Sequence, residues 1–273
     1  MIPAKFDYVR ADSADHATKL LTEHGDDAKL LAGGHSLLPL MKLRLATPSV
    51  LVDVGRLRDL SYIREAGDDI AIGALTRHLD LENSDLLGTQ APLLRHAAGQ
   101  VGDPQVRHRG TIGGSIAHGD PASDLPAVLL ALRATLVAQG PSGTREIAVD
   151  DFFTGFLETA LQPDELLTEI RVPKAPGAGW SFQKFNRRAQ DWAIVGVACV
   201  RNGTTGIGLV NVGSTPLRAS ASEAAITSGA TAVDAANVAD EGTDPPSDLN
   251  ATPEYRRHLM KVLVRRALEE AGG

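Results

Sequence analysis

Two short runs hold the residues best suited to binding chemistry. One is Ala32-Gly33-Gly34-His35-Ser36, followed by Leu37. The other is Thr111-Ile112-Gly113-Gly114-Ser115, followed by Asp120-Pro121 and Asp124-Leu125-Pro126. Paired glycines let a backbone turn through positive φ and keep side chains away from a ligand that approaches the amides. Consecutive free N–H groups in such a turn form a concave donor site for an anion, typically a phosphate. Ser36, Thr111 and Ser115 can add hydroxyl donors. Either run alone reads equally well as a tight turn. The two together suggest a diphosphate gripped from two sides.

The familiar nucleotide motifs do not account for these runs. A P-loop needs a lysine after its last glycine, and neither run has one. The nearest approach to a dinucleotide fingerprint, Gly206-Ile207-Gly208-Leu209-Val210-Asn211, lacks the third glycine and continues as an apolar, strand-like stretch. Gly34-His35-Ser36-Leu37-Leu38 fails as a nucleophile elbow at its last position. The eight histidines fall at no metal-ligand spacing, so no metal site and no catalytic residue are assigned. Asp120 and Asp124 are open to three roles: an acid–base pair, turn-shaping by Asp120 beside Pro121, and helix capping by Asp124. Arg107 and Arg109 are equally open, as diphosphate partners or as surface charges.

The elements that must position these residues follow from spacing. A helix is expected over residues 13–24, capped by Asp12 or Ser13 and ended by Gly25, with strands at 29–32 and 50–54 and a helical turn at 37–45. Further on come a strand at 69–73, a helix capped by Thr76, a helix over 91–101, and a helix from Asp124 to Leu132. A hairpin is expected about Gly140 to Gly143, then a strand at 165–172. After a linker at 174–179, three antiparallel strands are expected at 180–186, 193–200 and 205–212. Helices follow at 219–227, 231–238 and 254–270; the last is amphipathic through Leu259, Val262, Leu263, Arg266 and Ala267. The result is an α+β chain in three parts: a small β-α-β-like unit over 1–57, a larger mixed unit over 58–174, and a C-terminal unit over 175–273 with a three-stranded antiparallel sheet and helices. The first unit is too small to stand without its neighbour.

Composition narrows the class. Aromatic residues make up 4% and the net charge is −7, which argues against an aromatic platform or basic surface for nucleic acid. No apolar stretch approaches the roughly 20 residues of a membrane span, and no signal region opens the chain, so a cytoplasmic location is expected. Cys199 is the only cysteine. It excludes an internal disulfide and a four-cysteine iron–sulfur cluster held by this chain alone, and its apolar run marks it as a packed thiol.

The two glycine runs, Leu37 to Lys42, Asp120-Pro121 and Asp124-Leu125-Pro126 resemble the FAD-binding medium subunit of molybdenum hydroxylases, the aerobic carbon monoxide dehydrogenase type above all. The resemblance runs nearly end to end. It implies FAD as cofactor, bound by Ala32, Gly33, Gly34, His35, Ser36, Leu37, Thr111, Ile112, Gly113, Gly114, Ser115, Asp124, Leu167 and Lys184. Asp124 would take a ribityl or ribose hydroxyl, Leu167 would flank the cofactor, and Lys184, or Gln183 beside it, would supply a basic group near the flavin. The units 1–57 and 58–174 become the two halves of the FAD-binding domain. The resemblance also implies partners: an iron–sulfur small subunit, a molybdenum-cofactor large subunit, and an external acceptor such as a quinone or NAD. A self-contained FAD-dependent reductase or oxidase of the same fold is the alternative.

Overall fold

The computed structural model describes residues 2–272. Its first part runs β1 (Asp7–Arg10), α1 (Ala14–His24), β2 (Ala28–Leu31), α2 (Leu37–Leu43) and β3 (Val50–Asp53). The strands form a parallel sheet in the order β1-β3-β2. Ser13 caps α1 by accepting from the His16 amide at 3.0 Å, and Gly25 ends it at φ 54°. Leu20 and Leu21 bury one face of α1 in a core that also takes in Leu75 and Leu166 from the next part. The small sheet thus shares a core with its neighbour, as its size requires.

The second part contains β4 (Ile63–Ala66), β5 (Asp69–Gly73), α3 (His78–Glu82), α4 (Asp85–Gln90), α5 (Pro92–Gly99), α6 (Pro104–Arg109), α7 (Ile112–His118), α8 (Asp124–Leu132), β6 (Thr135–Gly140), β7 (Gly143–Ala148), β8 (Phe153–Gly155), β9 (Glu158–Thr159) and β10 (Leu166–Pro173). Five strands form an antiparallel sheet in the order β4-β5-β10-β6-β7. Here several expectations needed correction. Thr76 does not cap α3. Arg77 holds that position, and the Thr76 hydroxyl exchanges bonds with the Tyr62 backbone at 3.0 and 3.1 Å. The expected helix over 91–101 is preceded by a second one, α4, and the residues leading to the central run form α6, capped by Asp103. The helix α8 is buried along its whole length, which hides its amphipathic period.

The third part has β11 (Gly179–Phe185), β12 (Val195–Asn202), β13 (Thr204–Val210) and β14 (Leu217–Arg218), then α9 (Ser220–Thr227), α10 (Ala232–Asn237) and α11 (Pro253–Ala271). The sheet order is β11-β12-β13-β14, so the expected three strands gain a short fourth at the edge. Gly206 and Gly208, which resembled part of a fingerprint, serve packing instead. A Cβ on either would collide with the carbonyl oxygens of Ala131 and Ala127, so α8 lies directly on β13. The buried stripe of α11 is Arg256, Leu259, Met260, Leu263, Val264, Ala267, Leu268 and Ala271; Arg266 lies on the exposed side. Cys199 is fully buried in this core, and burial pushes its thiol up to about 12. It is a packing residue.

Candidate functional site

The first glycine run meets the residues immediately ahead of the second. A Cβ built on Gly33 would collide with the carbonyl oxygen of Arg109 and stand 3.0 Å from the Cα of Gly110. Arg77, at the start of α3, ties the same seam from behind: its guanidinium donates to the Arg109 carbonyl, and the His78 amide donates to Gly110 at 3.1 Å. The loop after β2 and the end of α6, just ahead of α7, are thus in backbone contact, although they lie far apart in the chain.

Their glycines do different work, and conformational freedom explains only one. Gly34 alone of the four adopts a left-handed backbone, at φ 79°. Gly113 is helical, and a Cβ there would lie 2.5 Å from the Ala74 Cβ and 2.6 Å from its carbonyl oxygen. That glycine lets α7 sit on the end of β5. A Cβ on Gly114 would meet the Thr111 hydroxyl at 2.7 Å and nothing else within 4 Å, so this side of the helix is bare. The amides differ too. No acceptor among the described residues takes the N–H of Gly33, Gly34, His35 or Ser36. In the second run Ile112 donates to Thr76 at 3.0 Å, Gly113 to Ala74 at 2.8 Å, and Gly114 to the Thr111 hydroxyl at 3.1 Å. The first run therefore leaves its amides unpaired. The second has spent its amides on the protein; its Thr111 hydroxyl is buried in the helix cap, and its Ser115 hydroxyl is half-buried.

Asp124 opens α8 beyond the other end of α7. Its Oδ2 accepts from Lys184 Nζ at 2.7 Å, and both side chains are almost fully buried, at 7% and 6% exposure. Lys184 Nζ also donates to the Gln100 carbonyl at 2.9 Å. Burial pushes the Asp124 carboxyl up from its ordinary range, and the Lys184 ammonium pulls it back. Oδ1 is buried with no partner among the described residues. A buried oxygen left bare is costly; an incoming hydroxyl would satisfy it. The Asp124 carboxylate caps no helix: the cap position is Ser123. Asp120 does shape its turn, accepting from the Ala122 amide at 2.8 Å.

Leu167 is buried, 3% exposed, within the core behind α7 on β10, whose Thr168 carbonyl accepts from Ala74 at 2.9 Å. Arg107 pairs with Glu82 at 2.7 Å and also reaches the Val101 carbonyl, so it is a structural cation. Arg188 and Asp191 form an exposed pair at 3.0 Å, worth little.

Sequence reasoning missed His78, Arg77, Ala74 and the Gln100 carbonyl. His78 and Arg77 stand at the start of an unremarkable short helix, and Ala74 and Gln100 act through their backbone. Nothing in their local sequence signals a site.

Comparison with known proteins identifies the family. Residues 4–175 match the family model described as the FAD binding domain in molybdopterin dehydrogenase, and residues 180–271 the CO dehydrogenase flavoprotein C-terminal domain. The chain is 43% identical to the carbon monoxide dehydrogenase medium chain of Hydrogenophaga pseudoflava, covering 99% of this chain and 98% of that one. It is 41% identical to the 6-hydroxypseudooxynicotine dehydrogenase complex subunit alpha of Paenarthrobacter nicotinovorans, over 99% and 96%. The solved carbon monoxide dehydrogenase of Hydrogenophaga pseudoflava superposes with a TM-score of 0.96 at 45% identity, covering 100% of this chain and 99% of that one. With coverage this complete in both directions, the chain belongs to the FAD-binding medium-subunit family of molybdenum hydroxylases, a family of oxidoreductase flavoproteins.

Proposed function

We propose that this chain is the electron-transfer subunit of a heteromeric molybdenum hydroxylase of the carbon monoxide dehydrogenase type. It takes electrons from [2Fe–2S] clusters on a small partner subunit, fed by a molybdenum-cofactor large subunit, and delivers them to an external quinone or NAD. The observation that carries the reading is the pairing of the glycine seam with the bare Oδ1 of buried Asp124. Near the start of α7 the run 33–36 leaves amides unpaired and Ser115 adds a hydroxyl for a diphosphate; beyond the other end a carboxylate lacks a hydroxyl donor. The diphosphate of FAD would lie at the seam and its ribityl chain toward Asp124.

FAD, when bound, supplies two-electron acceptance with single-electron release, which joins the chemistry of a hydroxylase to one-electron carriers. The chain's own residues bind and orient it. Gly33, Gly34, His35 and Ser36 would hold the diphosphate by their amides, flanked by Ala32 and Leu37. Thr111 and Ser115 would add hydroxyls beside the bare face of Gly114, with Ile112 and Gly113 fixing the start of the helix against β5. Asp124 would accept from the ribityl or ribose hydroxyl, held in place by Lys184, and Leu167 would support the pocket from behind. No helix among the described residues is long and apolar enough to cross a membrane, which accords with work in the cytoplasm. The relatives' names, a medium chain and a complex subunit, favour a heteromer over a self-contained reductase.

The purified chain is expected to be yellow, or to take up added FAD, and to show no brisk NADH turnover without partners. Gly114→Val should abolish FAD retention, because a branched side chain would fill the bare face and press on the Thr111 cap. Colourless protein that ignores FAD would end the reading. Rapid partner-free NADH oxidation would replace it with the self-contained reductase.

A further inference from the structure

His78 is a buried histidine, 2% exposed, that the cofactor reading leaves without a role. It lies against the seam between the two glycine runs. A Cβ on Gly110 would stand 2.7 Å from its Cδ2 and 2.9 Å from its Nε2. Nε2 is 3.3 Å from the Ser115 hydroxyl, the one partner of that hydroxyl among the described residues. The other ring nitrogen, Nδ1, is buried with no partner among them. Burial first, then His35, Arg107 and Arg77, lower its basicity to about 4, so the ring is neutral near pH 7.

A neutral imidazole carries one N–H, and its location sets the direction of the Ser115 hydroxyl. With the proton on Nδ1, a buried donor has no acceptor, and Ser115 must spend its own hydrogen on Nε2. With the proton on Nε2, the ring donates to Ser115 Oγ and leaves an unpaired acceptor at Nδ1, the more tolerable of the two orphans. Ser115 is then free to donate outward. This matters because the amides of Ile112, Gly113 and Gly114 are already committed, so the second run depends on its hydroxyls. We propose that His78 is a positioning residue for cofactor binding: as the Nε2–H tautomer it donates to Ser115 and commits that hydroxyl's hydrogen to the diphosphate of FAD. The inference rests on the reading that the run 111–115 faces that diphosphate.

A double-variant cycle on the full chain, with FAD affinity read by flavin fluorescence at pH 7, tests it. Ser115→Ala is expected to weaken FAD by about tenfold, the loss of one hydrogen bond to a charged group. His78→Leu should weaken it by a similar factor, and the two together by no more than either alone. His78→Gln, whose amide can donate from a comparable position, should recover most of the affinity. Circular dichroism melts of each variant show that the fold is kept, and His78→Gln serves if His78→Leu fails to fold. Independent, multiplying losses in the double variant, or wild-type affinity in His78→Leu beside a weakened Ser115→Ala, would overturn the role of His78 alone. Wild-type affinity in Ser115→Ala would overturn both this inference and the placement of the second run.

Discussion

At the scale of single residues, a buried ion pair and a buried histidine stand at the candidate site. Asp124 and Lys184 neutralise each other out of water, so removing one partner leaves the other charge exposed to a poor solvent. Asp124→Ala is expected to destabilise the cofactor-free chain by about 3–5 kcal/mol. Adding Lys184→Met should restore most of that loss. The double variant should still bind FAD more weakly by about 1.5–3 kcal/mol, one charge-assisted hydrogen bond. Urea denaturation beside FAD titration separates the two effects; equal FAD affinity in the restored double variant would remove Asp124 from the site. His78 makes stability depend on pH. Its folded value of about 4 lies below the ordinary 6.5, so the unfolded chain binds the extra proton between those values. The contribution is complete above about pH 6.5 and is lost as pH falls toward 4. Between pH 7 and pH 5 the loss is about 2 kcal/mol. Denaturation curves of the native chain and of His78→Gln at both pH values should differ by that amount, and identical curves would refute a neutral, buried imidazole.

Single elements are placed by close backbone approach rather than by large side chains. The helix α8 lies on β13 because Gly206 and Gly208 offer no Cβ to the carbonyls of Ala131 and Ala127. Since α8 also begins with Asp124, any outward shift of the helix moves the carboxylate relative to Lys184 on β11. Gly208→Ala should lower stability by about 1–3 kcal/mol, the ordinary cost of overpacking, and weaken FAD although it touches no cofactor. A thermal melt together with FAD titration measures both. Unchanged values would mean that the helix sits more loosely than its contacts suggest. The expectations for α1, β3, β5, β10 and the β6–β7 hairpin were legible because each has a clear period, a cap or a turn residue. The short helices α4 and α6 were not: each is six residues long, too brief for a helical period to emerge.

At the scale of the molecule, FAD bound as proposed would link the first sheet to the second part. A ligand that binds only where Gly33 meets Gly110 must favour the state in which the parts are joined. Saturating FAD, at about 100 times its dissociation constant, should stabilise the chain by about 2.7 kcal/mol. The shift should appear in calorimetry as one cooperative transition at a higher Tm. Two transitions, of which FAD moves neither, would contradict a site shared between the parts.

The amino-acid sequence by itself determined the α+β class, the order of the main elements, and the residue types of the two glycine runs, because glycine pairs, hydroxyls and hydrophobic period are local properties. It also marked Asp124 and Lys184, but through resemblance and not through any period that joins them. The tertiary structure decided the rest. It set Gly33 against Gly110, turned the second glycine pair from a flexible turn into a packed helix start, and put His78 behind Ser115. Those outcomes depend on contacts between residues distant in the chain, and no local pattern records which carbonyl a distant glycine will have to admit.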